Sequence, residues 1–156
     1  MTNCCFNPYS GITNKSNDTI RFCIKYKTPL IVVEYNGKDD RFSEQEEGFK
    51  VEYTFSNYPT IGISADGQNG LTIDSFSQGK FTCFKNIALF EIYPHKTIFF
   101  SKIERNDLNY RRYVDNIEEI SVIQGHDTVN YSTEDDLMKI FKDFNDRIVF
   151  NTKKSN

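Results

Sequence analysis

The chain has 156 residues, enough for one ordinary domain with its own core, and its formal charge of −3 argues against a protein whose main task is to neutralise duplex phosphates. Apolar residues make up 38% of it and aromatic residues 15%, all Phe or Tyr, so the core is expected to be built from rings. No apolar run approaches the roughly 18 residues that cross a bilayer, and the N-terminus lacks the layout of a secretory signal, so a cytoplasmic protein with no membrane partner is expected.

Residues 1–18, around NPYSGITNKSND, are rich in turn-forming Asn, Ser, Gly and Pro and read as a polar arm or loop. Residues 19–150 read as one β-rich domain. In TIRFCIKYK, Ile20, Phe22, Ile24 and Tyr26 alternate with Arg21, Cys23, Lys25 and Lys27, the period of a strand with one wet face. LIVVEYN is apolar in both phases, as for a strand covered on each side. The charged GKDDRFSEQEEG reads as an exposed loop, and FKVEYTF alternates again. TIGIS and LTIDSF flank ADGQNG, whose Asp-Gly and Asn-Gly steps suit a hairpin.

Gly79 precedes a long β-like run, KFTCFKNIALFEIYP, and Pro94 breaks it before KTIFFSKIE, so Tyr93, Pro94 and His95 read as a turn. The polar RNDLNYRRYVD is followed by a strand in EEISVIQG. Residues 133–147 read as a helix. Ser132 or Thr133 can cap it, Glu134, Asp135 and Asp136 favour its N-terminal dipole, and Leu137, Ile140, Phe141, Phe144 and Ile148 follow helical spacing. Residues 151–156 form a tail. The expected fold is therefore mainly β, a single antiparallel β-sandwich or partly open barrel with one C-terminal α-helix packed on it. In layout alone, strands followed by a closing helix resemble the pleckstrin-homology arrangement.

Both histidines stand in the pattern His-x-Thr-apolar, in PHKTIFF and QGHDTVN. This pair resembles the two strand motifs of the 2H phosphoesterase superfamily. The resemblance implies His95 and His126 as general acid and base, with Thr97 and Thr128 holding phosphate oxygens, in a phosphodiesterase or nucleotide-binding protein. The motifs are only about thirty residues apart, room for one hairpin or a short crossover, and that superfamily places a longer stretch between them.

A second candidate is the basic and aromatic cluster of Lys96, Lys102, Arg105, Tyr110, Arg111, Arg112 and Tyr113, where guanidinium beside phenol can clamp a phosphate or stack on a base. A third is the acidic segment of Asp39, Asp40, Glu44, Glu46 and Glu47, a surface that would attract a basic protein. Its spacing fits no metal loop, and neither does that of Asp66, Asn69 and Asp74, so no metal site is expected. Cys4, Cys5, Cys23 and Cys83 show no Cys-x-x-Cys spacing and read as free thiols without an activating partner. No phosphate-binding glycine loop or hydrolase motif occurs, and no cofactor is expected. The reading favoured by this inventory is a small, non-catalytic interaction module of accessory, inhibitor or immunity type. Its expected partner is a protein, with a phosphate-bearing ligand as the alternative and no duplex nucleic acid.

Overall fold

Alternating segments give strands, and the computed structural model lays them out as two sheets packed face to face. The structure describes residues 10–36, 41–44, 50–54, 60–65, 70–101 and 107–152, and the backbone alone at 36, 41–44 and 107–109. Among these, the strands are β1 (Ser10–Asn14), β2 (Ile20–Tyr26), β3 (Leu30–Asn36), β4 (Arg41–Glu44), β5 (Val51–Thr54), β6 (Thr60–Ala65), β7 (Leu71–Ile73), β8 (Lys80–Phe84), β9 (Ile87–Ile92), β10 (Thr97–Phe100), β11 (Ile117–Gln124), β12 (Asp127–Tyr131) and β13 (Ile148–Phe150). The helices are α1 (Asp107–Val114) and α2 (Glu134–Asn145).

One sheet has seven strands in the order β13-β1-β10-β7-β6-β3-β4, and the other has six in the order β12-β11-β2-β9-β8-β5. All neighbours are antiparallel except β1 and β13, which run parallel. The result is sandwich-like, with no closed barrel.

The phases of β2 and β9 explain the core. Phe22, Ile24, Ala88, Phe90 and Ile92 point inward and are buried, while Arg21, Lys25 and Glu91 face solvent. A chain of rings then runs through the sandwich. Phe81 meets Phe90 with centroids 5.0 Å apart, Phe90 meets Phe100 of the other sheet at 5.5 Å, and Phe100 meets Phe144 of α2 at 5.2 Å. Phe144 also touches Phe22 at 5.4 Å, so α2 is wedged where both sheets reach it. Each fully buried ring contributes about 1.5–3 kcal/mol by leaving water.

Helix α2 starts where its sequence requires. Thr133 Oγ1 accepts a hydrogen bond from Asp136 N at 3.2 Å, and the acidic first turn sits on the positive end of the dipole. Leu137, Ile140, Phe141 and Phe144 form its buried stripe. Ile148 leaves the helical pattern, because Arg147 adopts a left-handed φ of 67° and turns the chain just before β13 begins at Ile148.

Several segments differ from the reading of the sequence. Residues 10–14, in the stretch read as arm or loop, form β1, flanked by β10 and β13; a Cβ on Gly11 would stand 2.0 Å from the Ile98 carbonyl oxygen. The polar side chains of this strand find partners both near and far in the sequence. Ser10 Oγ donates to Asn145 Oδ1 at 3.0 Å, and Asn14 Nδ2 donates to the carbonyls of Asp18 and Ile92. Part of the charged 37–48 segment forms β4, paired with β3. The polar run before β11 contains α1, whose Tyr110 and Val114 turn one face inward. The β6–β7 pairing, with Ile61 opposite Ile73, gives the expected hairpin.

Candidate functional site

Both histidines stand in turns. Lys96 N donates to Tyr93 O at 3.1 Å, with Pro94 and His95 as the central residues and His95 at φ 65°, the pattern of a type II turn. His126 follows Gly125 (φ 62°) in the two-residue connection between β11 and β12. Because Ile20 pairs with both Ile92 and Gln124, the two turns lie at the same end of the six-stranded sheet with the start of β2 between them. The threonines do not join them. Thr97 belongs to the seven-stranded sheet and shares a 3.0 Å hydrogen bond with Thr13, while Thr128 is exposed on β12. His95 meets Asn17 Oδ1 at 3.3 Å, and none of these four residues lines any of the four described cavities.

The basic and aromatic cluster divides by helical face. Tyr110 is 4% exposed and its hydroxyl accepts from Asn145 Nδ2 at 2.8 Å, while the Tyr113 ring packs on Phe141 at 5.5 Å. Arg111 faces solvent and pairs with Glu134 at 3.7 Å, and Arg112 is exposed beside it. The tyrosines therefore dock α1 on α2, leaving the two arginines as surface groups. Arg105, Lys102, Asp39, Asp40, Glu46 and Glu47 lie outside the described residues, as do the side chain of Glu44 and residues Cys4, Cys5, Asp66 and Asn69. Asp74 accepts from Phe76 N at 2.8 Å, and no group of three or more His, Cys, Asp or Glu among the described residues is placed to hold a metal.

The most distinctive described surface is the outer face of the six-stranded sheet. Register aligns Glu119, Lys25, Ile87 and Phe84 in one row and Ser121, Cys23, Leu89, Thr82 and Glu52 in the next. Phe84 is 45% and Ile87 37% exposed. With Lys50, Thr82 and Leu89 they line a shallow hollow of about 350 Å³. The strand positions that usually carry polar side chains here hold a ring and two aliphatic groups.

Charge surrounds this hollow in an ordered way. Arg21 pairs with Glu91 at 3.5 Å, Lys80 with Glu52 at 2.6 Å and Lys25 with Glu118 at 3.3 Å. The Lys80 hydrogen bond and charge hold the Glu52 carboxyl below its ordinary value and Glu52 raises Lys80 in return; Lys50 lowers Glu52 further. Glu119 accepts from Ser121 Oγ at 3.2 Å. The Lys85 ammonium lies 5.3 Å from the centroid of the Phe84 ring.

Chemistry by the thiols has little support. Burial, aided by Glu119 and offset by Lys25, raises the Cys23 thiol, and burial pushes Cys83 up to about 12, so both remain protonated rather than nucleophilic at neutral pH. Both are free. No described helix is long and apolar enough to cross a membrane. Comparison with protein-family models, with curated proteins and with solved structures found no match.

Sequence reasoning passed over Phe84, Ile87, Leu89, Lys50 and Lys85. A signal existed in KFTCFKNIALFEI: with Phe81 and Cys83 pointing inward, Phe84 falls in the polar phase of its own strand.

Proposed function

We propose that this chain is a non-catalytic binding module acting on another macromolecule, of accessory, inhibitor or immunity type, and that it meets its partner with the outer face of the six-stranded sheet. The observation that carries this reading is the apolar hollow of Phe84, Ile87 and Leu89 in the midst of charged rows. A central apolar anchor with a polar rim is the anatomy of a protein interface. The helix-borne arginines, Arg111 and Arg112, are the weaker candidate, because Arg111 is paired and the aromatic rings beside them are spent on packing.

The test is affinity capture from lysate of the source cells with three baits: wild type, Phe84→Asp, and the double variant Arg111→Ala/Arg112→Ala. The reading expects one set of proteins retained by the wild type and by the arginine variant and lost from Phe84→Asp. Retention that survives Phe84→Asp but not the arginine substitutions would move the binding surface to α1.

A further inference from the structure

We infer that the partner presents an acidic segment carrying an aromatic or aliphatic side chain, which enters the hollow while the flanking carboxylates meet Lys50 and Lys85. This rests on the binding reading above and adds the chemistry of the partner. Around the hollow, the carboxylates of Glu52, Glu91 and Glu118 are each engaged by a cation of the same face, and Glu119 accepts from Ser121. Among the described residues Lys85 has no carboxylate partner, and Lys50 acts on Glu52, whose carboxylate Lys80 already holds at 2.6 Å. The chain is acidic overall, yet the described charges that line the hollow or lie over its Phe84 ring are the ammonium groups of Lys50 and Lys85, Glu119 lying on β11 with β2 between it and β9. An acidic segment entering the hollow adds to these two ammonium groups without displacing an ion pair, whereas a basic one meets them with like charge.

Lys85 opens the two-residue turn between β8 and β9 with φ 55°, a left-handed conformation that is unfavourable for a residue with a Cβ. Glycine or asparagine fills such a position more readily. The turn is pinned from behind, since Leu30 N donates to Lys85 O and Tyr26 N to Asn86 O, each at 2.8 Å. The strained residue therefore holds a fixed backbone position and keeps its ammonium over Phe84, and strain of this kind concentrates at ligand sites. The volume sets the scale. A hollow of about 350 Å³ is at the small end of ligand pockets and suits one inserted side chain with its neighbours spread over the rim.

The experiment pans short random peptides displayed on phage against the immobilised full chain, with counter-selection on Phe84→Asp, and measures the selected peptides by fluorescence anisotropy. Circular dichroism melts verify that Phe84→Asp folds, and Phe84→Ser replaces it otherwise. Expected are peptides that combine Asp or Glu with Phe, Tyr, Leu or Ile, whose affinity falls about tenfold or more in Lys50→Glu/Lys85→Glu and falls with added salt. Peptides that depend on Phe84 but are basic or uncharged would overturn the partner chemistry and leave the face as the binding surface. No enrichment dependent on Phe84 would overturn both. Concentration-dependent dimerisation in sedimentation that Phe84→Asp abolishes would assign the hollow to a second copy. Binding to phosphatidylserine vesicles without any peptide enrichment would assign it to a lipid surface. Either of these results would overturn the proposal.

Discussion

Phe84 and Ile87 stand directly opposite each other across the Lys85–Asn86 turn, both on the solvent side of the sheet. Two apolar side chains so placed add little to the core behind them. Replacing them with Ser and Thr should change unfolding free energy by no more than about 1 kcal/mol, whereas Phe144→Ala, which empties the meeting point of Phe22, Phe100 and Phe141, should cost about 3–5 kcal/mol. Urea unfolding monitored by circular dichroism measures both.

The buried link from Ser10 through Asn145 to Tyr110 ties β1, α2 and α1 together. Asn145→Ala strands a hydroxyl at each end and should destabilise by about 2–4 kcal/mol, and Tyr110→Phe, which removes a single acceptor, by about 1–2 kcal/mol. The double variant should lose less than the sum of the two, because both changes break the same bond. Denaturant midpoints of the three variants provide the check.

Lys85→Gly separates strain from function. The glycine accepts the left-handed φ at no steric cost, so stability should hold or rise by up to about 1 kcal/mol, while affinity for an acidic apolar peptide falls. Loss of stability together with affinity would make Lys85 a structural residue.

Alkaline pH should unfold the protein from within. Burial holds Cys83 up to about 12 against an ordinary 9.0, and burial raises Tyr26 above an ordinary 10.0 with smaller contributions from Cys83 and Tyr113. Tyr53 rises as well, through burial and its hydrogen bond to Glu34. These groups ionise at lower pH in the unfolded chain than in the folded one. Their contribution is therefore complete below about pH 9 and is lost as the pH climbs through the folded values. Melting temperature should be level from neutral pH to about 9 and fall beyond it, and Tyr26→Phe should make the fall shallower.

The fold was legible where one phase of a segment is apolar and the other polar. In β2 and β9 that alternation is carried by neighbouring residues, and α2 shows both its cap and its stripe. Strand β1 was not legible, because Ser10 and Asn14 are buried by partners 135 and 78 positions away, which no local pattern contains. Helix α1 is too short for its two inward residues to stand out among polar neighbours, and β12 is an exposed edge with no buried phase to read. The site was hidden for a related reason. Lys50 and Phe84 are brought together by β5 pairing with β8, so the hollow exists only once the register of those strands is known.

Backbone amide chemical shifts, followed while the selected acidic peptide is titrated into the protein, address the binding face most directly. The changes should cluster at Lys50, Thr82 and residues 84–89, with Arg111, Arg112 and the β12 edge unmoved. Shifts confined to α1 or to β12, with the hollow silent, would contradict the assignment of the outer face of the six-stranded sheet.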